Sequence, residues 1–227
     1  MNNFESFEKI QYGADGTPLN YTLENLNAMV ENEYSAMRMQ AAKLGWRLID
    51  LVDDEDEDVR KEVAKQVEHL DETNLLDKLI QDENYQVRVT VIETASKIGR
   101  YDLIEKSIND SNKNVRCAVA NAAEKAGQIN LLKKFIHDES EKVRICIAQI
   151  AGKHNCGCIL KELISDKSIY VREEVAKHKF GLDKLINDPS EDVRYQVAKQ
   201  NYGLEKLRND RCYEVRAEAQ KRLKEQA

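Results

Sequence analysis

The side chains best suited to chemistry in this 227-residue chain are five cysteines, four histidines and a run of six consecutive acids. His154-Asn155-Cys156-Gly157-Cys158 puts three metal-ligating types into one short string, with Cys146 a little upstream. Such donors hold zinc when four converge at suitable spacing. Cys-x-Cys is not the usual zinc spacing and no second cysteine pair follows, so a turn made of small residues is the preferred reading and no metal is assigned. The acids Asp53 to Asp58 suit a basic partner or a weakly held cation, but the calcium loop needs a glycine at its sixth position. A solvated turn that also caps a helix is favoured. His69, His137, His154 and His178 show no convergent spacing. The sequence contains no G-x-x-x-x-G-K-[ST], no G-x-S-x-G and no H-E-x-x-H, so no catalytic residue and no cofactor are assigned.

These residues are positioned by a repeat. Val-Arg recurs at Val59-Arg60, Val87-Arg88, Val115-Arg116, Val143-Arg144, Val171-Arg172, Val193-Arg194 and Val215-Arg216, with Met37-Arg38 as a degenerate first copy. The spacings are 22, then 28 four times, then 22 twice. Five positions before each valine stands an aspartate: Asp54, Asp82, Asp110, Asp138, Asp166, Asp188 and Asp210. Asn32 takes that place before Met37. Each unit reads as two helices. In one copy Leu75, Leu76, Leu79 and Ile80 form the apolar stripe of a short helix A. Helix B starts near Tyr85, carries Val87, Val91, Ile92, Ala95 and Ile98 on one face, and ends at Gly99. Gly127 and Asn155 stand at the equivalent stop positions.

Composition agrees with helices joined by short turns, since only two prolines and nine glycines interrupt the chain. With 33% charged residues, no stretch approaches the roughly 20 apolar residues of a membrane helix. Met1-Asn2-Asn3-Phe4-Glu5 lacks the basic and apolar regions of a signal peptide. Five cysteines without such a signal favour free thiols in the cytoplasm. The net charge of −6 offers no general attraction to nucleic acid or anionic lipid. Residues 1–21 precede the repeat as an extension or cap, with Phe4, Phe7 and Ile10 at helical spacing and a turn-rich loop over Tyr12–Pro18. Residues 22–227 form a single solenoid, with 28-residue repeats in the middle and 22-residue repeats at both ends.

Asp followed six residues later by Arg, with the arginine early in the second helix, resembles the HEAT repeat. The 22-residue copies, such as Val193 to Asp210, look more like the leucine-rich variant repeat, whose first helix shrinks to about a turn. The resemblance implies an all-α, right-handed α-α superhelix (alpha-solenoid) of about eight repeats. It also implies that the aspartate caps the turn and helix B, while the arginine packs along the neighbouring repeat. Helix B would line the concave surface.

Counting from the repeated valine at 100° per residue, offsets 0, +4, +8 and +11 face the core, and −1, +2, +3, +6 and +10 face the groove. At +2 and +3 the outer copies are charged or polar, as in Lys61-Glu62, Glu173-Glu174 and Tyr195-Gln196. The middle copies are apolar or small: Val89-Thr90, Cys117-Ala118 and Ile145-Cys146. Glu93, Asn121 and Gln149 follow at +6, and Lys97, Lys125 and Lys153 at +10. An apolar centre with a polar rim suits a protein partner, although the same side chains would also fill the space between tightly packed B helices. Tyr170, Tyr195 and Tyr213 near the starts of late B helices are candidate anchors or inter-repeat packing.

The reading is a non-catalytic scaffold for a protein partner, with a partner-binding set of Val89, Glu93, Lys97, Cys117, Asn121, Lys125, Ile145, Cys146, Gln149, Lys153, Tyr170 and Tyr195. The alternative is nucleic-acid binding along the lysine columns, Lys43, Lys65, Lys177, Lys199 and Lys221 included, or a DNA glycosylase similar to the alkylpurine glycosylases. Those enzymes use a basic face. Here the balance is acidic, and Trp46 aligns with Phe180 and Tyr202 as a repeat-core residue. Phycobilin lyases also resemble HEAT repeats, but nothing points to a bilin.

Overall fold

The computed structural model describes residues 11–12, 18–19, 21–70 and 73–226. The proposed N-terminal cap of Phe4, Phe7 and Ile10 lies outside them. Gln11–Tyr12 and Pro18–Leu19 pair as a minimal antiparallel ribbon, and the other regular elements among the described residues are helical. Packing divides the chain into two compact units, Met1–Thr94 and Ala95–Ala227.

In the first unit, α1 (Leu23–Val30) precedes α2 (Ser35–Lys43), and α3 (Leu48–Leu51) precedes α4 (Glu57–Gln66). Then come α5 (Leu75–Leu79) and α6 (Tyr85–Ile98), the helix in which the boundary falls. The second unit continues with α7 (Tyr101–Lys106), α8 (Lys113–Lys125), a 3-10 helix (Ile129–Phe135), α9 (Glu141–Lys153) and α10 (Gly157–Leu163). It closes with α11 (Ile169–Lys177), α12 (Leu182–Leu185), α13 (Glu191–Lys199), α14 (Leu204–Leu207) and α15 (Tyr213–Glu225). These are eight A–B pairs among the described residues, an all-α repeat fold of the solenoid class. B helices pack on B helices: α2 on α4 in the first unit, and α8, α9, α11, α13 and α15 in succession in the second.

The repeated valines and the positions four and five beyond them make the core. Val115, Val119 and Ala120 are fully buried, as are Val143, Ile147 and Ala148. Offset +7 joins them in the long helices, through Thr94, Ala122 and Ile150. Offset +11 was expected in the core but lies at its margin, with Ile98 and Ala126 half-buried and His154 exposed. The helix is ending there, so the residue sits over the turn. Ile129, Leu132 and Phe135 recur every third residue, which matches the 3-10 period and explains why this A segment is not α-helical.

The expected stops are present. Gly99, Gly127 and Asn155 have φ of 78°, 69° and 53°, the left-handed conformation that ends a helix. The short repeats use two such residues in each turn, Lys179 with Gly181 and Asn201 with Gly203. Phe180 and Tyr202 lie between them, and Trp46 lies likewise between Gly45 and Arg47. Trp46 was expected to be a repeat-core residue. It is half-buried with its indole N–H on Asn27 Oδ1 at 3.1 Å, and Tyr202 is exposed. A side chain on a turn between two left-handed residues covers the edge of the core rather than filling it.

Candidate functional site

The Asp and Arg columns form one recurring device. Arg144 donates from Nε and Nη2 to both carboxylate oxygens of Asp166, at 2.7 and 2.9 Å. Its Nη1 donates to the carbonyls of Asp138 and Glu139 in its own turn. Asp166 in turn accepts the amide of Ser168 at 2.8 Å. The same arrangement joins Arg116 to Asp138, Arg172 to Asp188 and Arg194 to Asp210, and within the first unit Arg38 to Asp54 and Arg60 to Asp82. Each link ties the N-terminal ends of consecutive B helices, which therefore run in the same direction. The forked geometry matches guanidinium to carboxylate and leaves few donors unmet, which is what allows the pair to be buried. The bond to Asp166 raises the Arg144 pKa, and the Arg194 guanidinium holds the Asp210 carboxyl below its ordinary range.

The aspartate caps the turn rather than helix B, a correction to the expectation. In three repeats the next polar residue serves a helix B amide, Asp56 accepting from Asp58, Asn84 from Gln86 and Asn112 from Asn114, whereas Ser140, Ser168 and Ser190 make no side-chain cap bond. Two residues of the acidic run are thereby used, Asp54 by Arg38 and Asp56 as the cap. The Ser35 hydroxyl and the Asp58 amide hold the Asp56 carboxyl below the ordinary range. Glu55 pairs with Arg38, Asp58 with Lys61 and Asp53 with Lys78. Local pairing and capping thus engage five of the six acids, all but Glu57.

The expected partner-binding residues divide by offset. On α6, Val89 is half-buried and Glu93 and Lys97 are exposed. In the second unit Cys117, Ile145 and Cys146 are half-buried, whereas Asn121, Lys125, Gln149 and Lys153 are exposed. Offset +3 is enclosed more deeply than helical geometry alone suggests: Thr90, Glu174 and Glu218 are buried. The reason is lateral contact between B helices. Gln196 Nε2 donates to Glu173 Oε1 at 3.0 Å, and the Cys146 thiol lies 3.6 Å from Asn121 Oδ1. The apolar floor is thus partly shared between neighbouring helices, and the rim at +6 and +10 is the accessible part.

Several lysines on this face are matched by acids. Lys153 Nζ and His154 Nε2 meet Glu124 Oε1 at 2.6 and 2.9 Å and lower its pKa, the lysine contributing more. Lys177 pairs with Glu174 and Glu173, and Lys65 with Glu62. A phosphate-tracking stripe needs cations without neutralising neighbours. His154 faces Glu124, while Cys158 is exposed and the Cys156 thiol, 3.8 Å from the His154 carbonyl, is raised in pKa by burial. No three metal-ligating side chains gather among the described residues.

Tyr170 is 61% exposed on α11, and Tyr195 is half-buried on α13 with Lys199 Nζ 5.8 Å from its ring centre. Tyr195 and Tyr213 belong to an open cleft of about 630 Å³ between α13 and α15, with Asp192, Glu214 and Glu218 also on its walls. Reading the sequence singled out the tyrosines but missed Asp192 and Glu214 beside them. Asp192 and Glu214 sit at −1, one of the groove-facing offsets, so the signal was available.

The fold and this face together define a helical-repeat protein built on an arginine–aspartate ladder. Among solved structures, the chain is similar to a leucine-rich repeat variant with a novel repetitive structural motif, at 24% identity and a TM-score of 0.66, covering 87% of this chain and 82% of that one. It is also similar to the Escherichia coli protein YibA, at 19% identity and a TM-score of 0.52, covering 90% and 93%. These likenesses establish the fold. No protein-family model and no curated protein matches the sequence.

Proposed function

We propose that the protein is a non-catalytic scaffold that binds a protein segment along the B-helix face of its second unit. One observation carries this reading. On the adjacent helices α8 and α9, the half-buried strip of Cys117, Ile145 and Cys146 is bordered by exposed Asn121, Gln149, Lys125 and Lys153. A partly apolar floor with hydrogen-bonding amides at its edge suits a peptide backbone better than a uniformly charged surface does. Tyr170 and Tyr195 would serve as aromatic anchors farther along the unit. The expected setting is the cytoplasm, where free thiols persist.

Photo-crosslinking residues placed at Asn121 and Gln149, with exposed Lys161 on α10 as the control, test the face directly. The expected result is a nuclease-resistant protein adduct at 121 and 149 but not at 161. Ile145→Asp should weaken that partner about tenfold or more, roughly 1.4 kcal/mol. Unchanged binding by a variant that keeps its circular dichroism rejects the face. Recovery of nucleic acid in place of protein rejects the scaffold reading.

A further inference from the structure

The open cleft of about 630 Å³ between α13 and α15 sets the rings of Tyr195 and Tyr213 among carboxylates. Glu191, Asp192, Glu214 and Glu218 line it, against one lining lysine, Lys221, which meets Glu225 of its own helix at 4.0 Å. Elsewhere in the second unit the acids of the B helices are answered by the chain itself, Glu124 by Lys153 and Glu174 by Lys177. In the cleft, neither Glu191 nor Asp192 has an ion pair among the described residues. Glu214 accepts from a neutral group, the Cys212 thiol, at 2.8 Å. That thiol holds the Glu214 carboxyl below its ordinary range, with Arg216 a smaller influence. Glu218 is nine-tenths buried and meets Arg222 Nε through Oε1 alone, at 2.7 Å. No buried side-chain oxygen among the described residues lacks a partner, so Glu218 Oε2 keeps its access to the cleft that the residue lines.

We propose that this cleft receives a basic segment of a partner protein, with an arginine or lysine side chain seated against the two tyrosines and its charge met by Asp192, Glu214 and Glu218. Carboxylates without neighbouring cations complement a positive ligand. Tyrosine faces attract one as well. The chain's own cations show this attraction, since Lys199 Nζ lies 5.8 Å from the Tyr195 ring centre and the Arg216 guanidinium 5.9 Å from that of Tyr213. The volume falls within the roughly 300–1,000 Å³ of clefts that hold ligands.

A bare cation fits this site less well. Calcium needs six or more converging oxygens, and among the described residues no three metal-ligating side chains gather. Acids spread along two helices, with a ring on each, match an extended ligand carrying spaced charges. Glu191, Asp192 and Glu214 stand in first helical turns, where the dipole favours acids. The dipole does not require rings beside them or an open oxygen on Glu218. That the ligand is a protein segment rests on the scaffold reading. The cationic preference does not, because the cleft lies on α13 and α15 and not on the α8–α9 strip.

The test uses the full chain and a fluorescent hexapeptide of alternating glycine and arginine, read by anisotropy. The same peptide with neutral citrulline for arginine is the control, and it should not bind. Asp192→Asn combined with Glu214→Gln should weaken the arginine peptide about tenfold or more. Tyr213→Ala should weaken it about threefold. These three side chains are exposed, so the variants should keep their circular dichroism. Glu162→Gln, which removes an exposed acid on α10, and Ile145→Asp on the α8–α9 strip should leave affinity within about twofold. Equal binding of the citrulline peptide overturns the proposal, as does a loss in Glu162→Gln matching that of the cleft variants. Spermidine competing as tightly as the peptide overturns the assignment to a protein segment. Loss in Ile145→Asp alone moves the peptide to the α8–α9 strip, which overturns the cleft and leaves the scaffold reading standing. No binding by the unmodified chain overturns the cleft and leaves the crosslinking at Asn121 and Gln149 to decide the scaffold.

Discussion

In the second unit, α8 and α9 belong to 28-residue repeats and each runs 13 residues, whereas α11 and α13 belong to 22-residue repeats and each runs nine. Their N-terminal ends are the same. Arg144 grips Asp166 as Arg194 grips Asp210, at 2.7 Å in both cases. What differs is the C-terminal end of helix B and the helix that follows. Offset +8 is a buried alanine in the long repeats, Ala123 and Ala151. In the short ones it is a left-handed turn residue, Lys179 or Asn201, and helix A is cut to four residues. The ladder therefore sets register independently of repeat length, and the far end of helix B can be trimmed without disturbing it. The +10 lysines and the wide rim they form exist only where helix B is long.

The largest expected effect tests whether the ladder is common to both repeat types. Arg144→Ala and Arg194→Ala should each cost about 3–5 kcal/mol in urea unfolding, because each leaves a buried carboxylate unpaired. The two should agree within about 1 kcal/mol. Arg216, which bonds the carbonyls of Asp210 and Arg211 in its own turn, should cost only about 1 kcal/mol as Arg216→Ala. A much smaller loss at Arg194 than at Arg144 breaks the equivalence.

The junction of a long and a short repeat comes next. A Cβ on Gly152 of α9 would come within 2.0 Å of the His178 ring at the end of α11. Gly152→Ala should lower stability by about 1–3 kcal/mol. Combining it with His178→Ala should recover most of that loss in thermal unfolding. No recovery would mean that the histidine is not what requires a glycine.

Acid should weaken the short-repeat ladder in a defined direction. The Asp210 carboxyl, ordinarily near 3.8, is lowered by Arg194, so its contribution is fully present above that value and is lost as pH falls through the folded-state pKa. Asp210→Asn should flatten the acid limb of the stability curve below about pH 4, measured by urea midpoints at successive pH values. An unchanged limb shows that other carboxylates govern it.

The smallest effect concerns the turn peculiar to short repeats. Lys179 holds φ of 58° and Asn201 holds 60°. Lysine tolerates the left-handed region less well than asparagine, so Lys179→Gly should gain more stability than Asn201→Gly, by about 0.5–1 kcal/mol. Equal responses at the two sites would show that the strain difference is negligible.

The regularity of the chain made much of the fold legible. Val-Arg with an aspartate five positions earlier marked the start of helix B, and Gly99, Gly127 and Asn155 marked three of its ends. These are local signals, and the structure honours them. The candidate face was read less completely. Asn121, Gln149, Lys125 and Lys153 are exposed, while +2 and +3, which the sequence left open between a groove floor and packing between B helices, are half-buried or buried. The Asp192 and Glu214 side of the tyrosine cleft was missed, because the reading compared one offset down the repeats and did not ask which side chains of two adjacent helices share a space.

By itself, then, the sequence determined the helical repeat class, the register of the repeats and the turn residues that stop each helix, because all three depend on spacings within about thirty residues of one chain segment. The tertiary structure alone decided which carboxylate each arginine holds, how deeply +3 is enclosed and that Cys146 meets Asn121. Those outcomes depend on how closely consecutive B helices approach, and no periodicity within a single helix encodes that distance.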